Sequence, residues 1–179
     1  LEQLEEELKD KMKKLYLPQP DEKTGIIPQF DGYFDLKEID LSVYKNASVV
    51  GTIFHDYSGE DVQKMQAGKQ ADIVELLYQM EDITTPDNKA KNYVYYEART
   101  LHDSSLSKAI HSITACDLGM EKEAYEMFMS AALTDLGQEM KSSDAGIHSA
   151  NMGGVWQDVV MGFGGIRIRD GHLLSLIHI

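Results

Sequence analysis

The sequence of 179 residues has one cysteine and no long apolar run. That cysteine, Cys116, lies in an apolar helical context, so the chain can form no internal disulfide and no cysteine-based metal site. Such cysteine usage predicts a protein of the reducing cytoplasm. No apolar run reaches the roughly 18 residues that a membrane span needs. The N-terminal stretch also lacks the basic start and apolar core of a signal peptide.

Positive charge is scarce as well. Lys and Arg number 17 against 30 Asp and Glu, which gives a formal net charge of -13 at pH 7. This excess of negative charge makes nucleic acids and anionic membrane surfaces poor candidate partners. The hydrophobic fraction of 42% and the charged fraction of 26% are those of an ordinary soluble domain. The chain can therefore bind an anion only where local groups override its overall charge.

Several catalytic signatures are missing. The sequence contains neither a G-x-x-x-x-G-K-[ST] phosphate loop nor a G-x-S-x-G nucleophile turn. The segment MGFGG lacks the preceding strand that a dinucleotide fingerprint requires. His102 and His111 are separated by nine positions, a spacing that predicts no metal site.

Helical periodicity is the main pattern along the chain. Helices are expected over residues 1–15, from about 61 to 81, over 86–97, from Ser104 or Ser105 to Gly119, from Met120 to Gly137, and from Asn151 to about 165. Thr85 is the expected N-cap of the third helix, with Pro86 in its first position. The segment IRIR is typical of a strand. Helices of this length with short connections indicate an all-α array of helical hairpins.

The segment RTLHDSSLS gathers a cation, an imidazole and three hydroxyls just before a helix. With Asp103 or Ser104 as N-cap, the free N–H groups of the first turn would point outward. A helix N-terminus attracts anions, and Arg99, His102 and the serines add donors that suit a tetrahedral oxyanion such as phosphate. The alternative is a plain capping motif in which Arg99 pairs with Glu97 or Asp103.

The segment GIHSANMGGVWQ repeats this arrangement. Asn151 is its expected N-cap, Met152 and Gly153 would expose backbone N–H groups, and His148 precedes them. Two such helix starts facing one point would form a phosphate cradle. Alternatively, the two glycines only permit close helix packing and His148 is an ordinary loop residue.

A third segment, GKQAD, places Lys69 and Gln70 at the start of a helix. There the two side chains could donate hydrogen bonds to sugar hydroxyls. The alternative is a solvated helix face.

Together, KQAD, YYEARTLHDSSLSKAIHSI and GIHSANMGGVWQDVVMGFGGIRIRDG resemble the disaccharide phosphorylases of glycoside hydrolase family 65, which act on maltose, trehalose, kojibiose or nigerose. The resemblance runs from Leu1 to about Gly171. It implies an (α/α)6 barrel, of which residues 1–165 would form roughly the last half. Residues 166–173 would begin a C-terminal β-sheet domain. Residues 174–179, LSLIHI, have no turn or cap that links them to this pattern, and we interpret them as a non-native tail.

The resemblance also implies a reaction. An inverting phosphorylase uses phosphate in place of water and its catalytic base, so it needs one general acid and an anion cradle. Its substrate is an α-glucosyl disaccharide, and its products are β-glucose 1-phosphate and a sugar. By the resemblance, the donor-site glucose is bound by Lys69 and Gln70, phosphate by Ser104, Ser105, His148, Asn151, Met152 and Gly153, and Arg99 and His102 have supporting roles. Asn151 stands where many members have Ser, and its amide can still donate a hydrogen bond.

The family's general-acid Glu lies on a motif N-terminal to Leu1, so no residue of this chain is assigned as catalytic. The chain alone is therefore expected to be inactive. The resemblance implies no metal and no cofactor beyond inorganic phosphate as co-substrate, and a full-length homodimer. Two alternatives stay open: a trehalase-type hydrolase of the same family, which lacks the phosphate cradle, and a non-catalytic helical binding module.

Overall fold

A computed structural model describes residues 2–45, 50–70, 72–137, 146–169 and 172–175. Within these ranges the chain is mostly helical. The α-helices are α1 (Glu2–Lys14), α2 (Ser42–Lys45), α3 (Gly59–Val62), α4 (Asp72–Gln79), α5 (Pro86–Glu97), α6 (Ser107–Asp117), α7 (Glu121–Ala132) and α8 (Ser149–Gln157), and a π-helical segment, Asp158–Phe163, continues α8. Short 3-10 turns cover Tyr33–Asp35, Thr52–His55 and Glu81–Ile83. Strands β1 (Arg167–Arg169) and β2 (His172–Leu174) form an antiparallel pair. The predicted helical class and the strand at IRIR are confirmed.

Local signals predicted some helix boundaries well. Helix α5 begins at Pro86, and the Thr85 hydroxyl accepts a hydrogen bond from the Asn88 N–H at 3.2 Å, as expected of an N-cap. The prediction that α7 extends to Gly137 is wrong, because the helix ends at Ala132 and turns follow it.

The predicted helix over 61–81 is wrong in its first half. Residues 65–68 form two parallel bridges instead, from Met65 to Lys37 and from Gly68 to Thr100. These bridges use backbone groups that a helix would have paired internally, so α4 begins only at Asp72.

Helix α6 lies at the centre of the molecule. Eight of its eleven residues are buried, and it packs against α4, α7, α8 and the π-helical segment. The surrounding core comes from α4 and α5 and includes Val74, Leu77 and Tyr93. Several of its buried residues are polar and need partners inside the protein, and the Ser112 hydroxyl donates to the Ala124 carbonyl oxygen of α7 at 2.8 Å.

The long connection before α2 belongs to the same core. Ile27 is buried, and its N–H donates to Asn92 Oδ1 at 2.8 Å. Its carbonyl oxygen accepts a hydrogen bond from the Tyr96 hydroxyl. These contacts fix the connection against α5, so it is not a free surface loop.

The β-hairpin is held to the helices by one arginine. Arg167 of β1 pairs with Glu81 at 3.0 Å and with Asp117 at 2.6 Å, and Asp117 also accepts from Lys89 at 2.7 Å. All four side chains are largely buried. In a low-dielectric setting these charges stabilise one another because each has a partner.

The hairpin includes the first residue of the predicted tail. Leu174 pairs with Arg167 in the β-sheet register. Leu176 to Ile179 lie outside the described residues, as do Asp170 and Gly171. A non-native origin of the tail stays a prediction.

No helix in the described part of the chain is both long enough and apolar enough to cross a membrane.

A buried carboxyl group lies where the π-helical segment packs on α6. Asp158 is fully buried, and neither of its carboxyl oxygens has a hydrogen-bond partner among the described residues. A side chain at Gly162 would lie 2.5 Å from Asp158 Oδ1, so the glycine makes room for this carboxyl group. Burial raises the pKa of Asp158 to about 7.

We therefore expect Asp158 to make stability depend on pH. Unfolded Asp158 ionises above its ordinary pKa of 3.8, whereas the folded group stays protonated until about pH 7, so stability falls as pH rises through this range. Asp158→Asn, which cannot ionise, should gain stability relative to the unchanged chain across that range by at least about 1.4 kcal/mol, the equivalent of one pKa unit. Urea unfolding at several pH values measures this difference. The exposed Asp31→Asn is the control, and equal pH profiles for the two variants would contradict the expectation.

Candidate functional site

The segment RTLHDSSLS does not cap α6 as predicted. The helix begins at Ser107, and Leu106 occupies the N-cap position without a side-chain hydrogen bond. Asp103 points elsewhere, since its Oδ2 accepts the Gly51 N–H at 3.0 Å. Ser104 closes a turn by accepting the Leu106 N–H at 3.3 Å. A turn therefore separates the serines from the helix, and neither predicted cap forms.

The second predicted cap is also wrong. Helix α8 begins at Ser149 with His148 in the N-cap position, and Asn151 lies in the first turn. The expectation that Met152 exposes its N–H is wrong as well, because this group donates to the His148 carbonyl oxygen at 3.2 Å. Asn151 is buried, and its Nδ2 donates to the carbonyl oxygen of Ala131 at 2.8 Å. Its side chain thus ties the start of α8 to the end of α7, a contact between residues 20 positions apart.

The two glycines of this segment differ in role. A Cβ atom at Gly154 would lie 3.1 Å from the Cβ of Ala109, so Gly154 allows α8 to approach α6 closely. A Cβ atom at Gly153 would have no atom within 4 Å. Close packing therefore explains Gly154 but not Gly153, which faces open space.

A cleft of about 480 Å³ opens beside α6 and α8. Ser105, Asn151 and Gly153 line it, together with the acidic Glu75 of α4 and apolar groups such as Ile110 and Trp156. The structure thus brings one residue of RTLHDSSLS to the same cleft as two residues of GIHSANMGGVWQ. Ser104, His148 and Met152 are sequence neighbours of these residues but are not among those that line the cleft.

The third segment is joined to the first through the backbone. The Gly68 N–H donates to the Arg99 carbonyl oxygen at 2.7 Å, and the Leu101 N–H donates to the Gly68 carbonyl oxygen at 2.8 Å. Lys69 and Gln70 follow directly, and both are exposed. The start of α4 is therefore fixed next to the loop that leads into α6.

Arg99 connects neighbouring segments of the protein. Its guanidinium donates to Gln66 Oε1 at 3.0 Å, to the Tyr95 carbonyl oxygen at 3.2 Å and to Glu38 Oε1 at 3.1 Å. It also lies 3.7 Å from the centre of the Tyr95 ring. Its donors are thus committed to neighbouring segments, and the alternative pairing with Glu97 or Asp103 is wrong.

His102 is held by a buried hub that we define as Lys45, Glu97, His102, Ser107 and His111. The Glu97 Oε2 atom lies 2.9 Å from His102 Nε2 and 2.8 Å from His111 Nδ1, while Lys45 binds Oε1. The Ser107 hydroxyl lies 2.9 Å from His102 Nδ1. A carboxylate can only accept, so the ring nitrogens that face it carry hydrogen, and His102 Nδ1 then accepts from Ser107.

The hub fixes an unfavourable backbone conformation. His102 has a φ of 57°, and it is the one non-glycine residue with positive φ in the described part of the chain. Burial lowers the pKa of His102 to about 4, so the ring is neutral near pH 7. Burial alone would raise the pKa of Glu97, but the hydrogen bond from His102 and the adjacent His111 ring outweigh it and hold that pKa well below its usual range. The hub thus contains a carboxylate paired with Lys45 and two histidines.

The sequence spacing of His102 and His111 predicted no metal site, yet the fold places their nitrogens and a Glu97 oxygen within 4.8 Å of one another. Ligands around a metal ion with bonds of about 2.0 Å lie about 3.3 Å apart in tetrahedral geometry. The observed contacts of 2.8 and 2.9 Å are shorter. The one from His102 Nε2 is a hydrogen bond, whereas His111 Nδ1 makes a close polar contact without hydrogen-bond geometry. The arrangement therefore fits a hydrogen-bonded hub better than a metal centre.

His148 also has a carboxylate partner. The His148 N–H donates to Asp135 Oδ2 at 2.9 Å, and its Nδ1 lies 2.6 Å from Asp135 Oδ1. No sequence pattern indicates this pair, because no helix repeat or motif relates two residues 13 positions apart. The partner of His102, Glu97, was equally unexpected.

Residues 1–157 match the family model described as the glycosyl hydrolase family 65 central catalytic domain. The kojibiose phosphorylase of Halothermothrix orenii is 48% identical over 168 residues, which are 93% of this chain and 21% of that protein. The kojibiose phosphorylase of Escherichia coli is 41% identical over 164 residues, 90% of this chain and 21% of that protein.

Two further similar proteins are also named as phosphorylases. The α,α-trehalose phosphorylase of Thermoanaerobacter brockii is 37% identical over 159 residues, 89% of this chain and 20% of that protein. A solved structure named "Putative kojibiose phosphorylase from human microbiome" matches with a TM-score of 0.77 and 32% identity, over 88% of this chain and 23% of that one. The chain thus spans about a fifth of the length of these relatives.

Proposed function

Because the chain belongs to glycosyl hydrolase family 65 and matches its central catalytic domain, we propose that it supplies the phosphate-binding wall of a disaccharide phosphorylase. The proposed reaction is inverting phosphorolysis of an α-glucosyl disaccharide, such as kojibiose, to β-glucose 1-phosphate and a sugar. Phosphate is the co-substrate and no other cofactor is proposed. The hydrolase and binding-module alternatives account less well for a cleft at which Ser105 of one family segment meets Asn151 and Gly153 of the other.

The cleft beside α6 and α8 is the observation that carries this proposal. Ser105 contributes a hydroxyl, and Gly153, in the second turn of α8, leaves that side of the helix open to a ligand. A helix N-terminus adds partial positive charge and N–H donors, which favour an anion even in a chain of net charge -13. We propose that Ser104, Met152 and His148 border the same anion, while Lys69 and Gln70 bind the glucose.

The proton donor is proposed to lie outside this chain. A general acid must hold a proton near neutral pH and reach the glycosidic oxygen. Glu97 does neither, since its pKa is held well below its usual range and its carboxylate is committed to the hub. Asp158 holds a proton but is fully buried. Phosphate needs no catalytic base, so the wall described here requires no second carboxylate.

The packing order supports a place in an (α/α)6 barrel. Helices α4, α6 and α8 follow one another in contact, and α5 and α7 connect them. We propose that residues 1–165 form the last half of the barrel, with α4, α6 and α8 inside, and that residues 166–173 begin the next domain. The cytoplasmic location and the homodimer also stay predictions.

Titration of the chain with inorganic phosphate tests the proposed site. Ser105→Ala should weaken phosphate binding about tenfold, because a hydrogen bond to a charged group is lost. Gln70→Ala, which is also neutral, should leave phosphate binding unchanged and weaken glucose binding. Isothermal calorimetry or NMR shifts measure both affinities. A chain that binds no phosphate, or binds it equally well after Ser105→Ala, would overturn the proposal.

A further inference from the structure

We infer that Asp135 is a positioning residue for phosphate, because it fixes the His148 ring so that Nε2 is the nitrogen offered to the anion. This inference rests on the proposed phosphate site. It adds a residue that neither the sequence pattern nor the family resemblance singled out.

One carboxylate holds both the backbone and the ring of His148. Asp135 Oδ2 accepts the His148 N–H at 2.9 Å, and Asp135 Oδ1 lies 2.6 Å from the ring Nδ1. The Asp135 side chain is only 9% exposed, whereas that of His148 is 34% exposed. The anchored side of the pair is therefore buried, and the ring retains contact with solvent beside the first turn of α8.

The segment that carries Asp135 is itself fixed. Thr134 is buried, and its hydroxyl donates to the Ser130 carbonyl oxygen at 3.3 Å. Asn151 of α8 donates to the Ala131 carbonyl oxygen at 2.8 Å. The first contact orders the segment after α7 and the second holds the start of α8 against it, so Asp135 has a defined position relative to the cleft that Asn151 lines.

The chemistry of the pair determines which nitrogen is available. A carboxylate accepts hydrogen bonds only, so Nδ1 of His148 carries the proton in this contact. The hydrogen bond from the His148 ring lowers the pKa of Asp135, which keeps the carboxylate ionised near neutral pH. The His148 Nε2 atom makes no hydrogen bond within the part of the chain that the structure describes.

A phosphate oxygen binds Nε2 through a proton on that nitrogen, which dihydrogen phosphate supplies as it becomes monohydrogen phosphate. The bound ring then carries hydrogen on both nitrogens and lies between two anions, Asp135 and phosphate. Each contact is a charge-assisted hydrogen bond, which is stronger and more directional than a neutral one. Without Asp135 the ring could rotate or carry its single proton on Nε2 alone, and it would lose this geometry.

Replacing Asp135 tests the inference, because a positioning role and long-range charge predict opposite changes in phosphate affinity. Asp135→Asn removes one negative charge, and long-range charge alone would then strengthen phosphate binding. Asp31→Asn is the matched control, since it removes the same charge from an exposed position. Positioning predicts the opposite for Asp135→Asn: about tenfold weaker phosphate binding than in the control, the loss expected for one hydrogen bond to a charged group. Glucose binding should not change.

NMR of the unchanged chain supplies a second measurement that needs no stable variant. With ¹⁵N-labelled histidine, His148→Gln identifies the ring signals by their loss. We expect Nδ1 to be protonated without phosphate and both nitrogens to be protonated at saturating inorganic phosphate. An unprotonated Nδ1, or an Nε2 that stays unprotonated with phosphate bound, would overturn the inference.

The outcomes separate the two proposals. If the unchanged chain binds no phosphate, both the proposed function and the inference about Asp135 are overturned. If the unchanged chain binds phosphate through Ser105 but Asp135→Asn binds it as tightly as Asp31→Asn, only the inference about Asp135 is overturned.

Discussion

The isolated chain is expected to release no glucose 1-phosphate from kojibiose and phosphate, whereas the same chain should support this reaction inside a relative. The test protein is the Halothermothrix orenii kojibiose phosphorylase with its matching segment replaced by this chain, which is 48% identical to it over 168 residues. The isolated chain has a proposed anion wall, whereas the proposed general acid lies outside it, and general acid catalysis alone contributes about 10²–10⁴-fold to rate. Enzymatic detection of glucose 1-phosphate measures the activity of the isolated chain and of the chimera.

Product analysis distinguishes the alternatives. Glucose without glucose 1-phosphate would indicate a hydrolase, and an inactive but folded chimera would favour a binding module. Ser105→Ala in the chimera should raise the KM for phosphate about tenfold and leave the KM for the disaccharide unchanged. Phosphorolysis by the isolated chain would contradict the proposed location of the acid.

Replacing Glu97 with alanine is expected to lower the free energy of unfolding by about 3 to 5 kcal/mol, the cost of breaking a buried charge pair. The change leaves the Lys45 ammonium without its carboxylate, and it removes the acceptor that faces His102 and His111. The His102 backbone, with its φ of 57°, also loses its main restraint. Urea unfolding followed by circular dichroism measures the loss.

Glu38→Ala is the matched control for this prediction. Glu38 also pairs with a cation, Arg99, at 3.1 Å, but its side chain is 70% exposed. An exposed ion pair contributes at most about 1 kcal/mol, so the control should unfold near the unchanged chain. Equal losses for the two variants would show that the hub does not stabilise the fold.

Several features followed from the sequence because they depend on neighbours along the chain. Periodicity predicted the helical class, and Thr85 with Pro86 marked the start of α5, since an N-cap acts within one turn. The segments RTLHDSSLS and GIHSANMGGVWQ indicated the family, and they contribute Ser105, Asn151 and Gly153 to one cleft. Their roles in binding stay predictions.

Tertiary contacts decided what these side chains do. Arg99 was a candidate anion donor, but Gln66, 33 positions away, takes one of its donors. Asn151 was a candidate cap, but Ala131 binds its side chain. Each side chain could bind a local or a distant partner, and it binds the distant one where burial makes an unpaired polar group costly.

The sequence by itself therefore determined the helical class, the family and the segments that form the cleft, because periodicity, caps and motifs are local properties. Only the tertiary structure decided that Glu97 joins Lys45, 52 positions away, to His102 and His111, and that Asp135 holds His148. The physical reason is that a buried charge must be neutralised by whatever the fold brings within about 3 Å. No local pattern records which distant residue that will be.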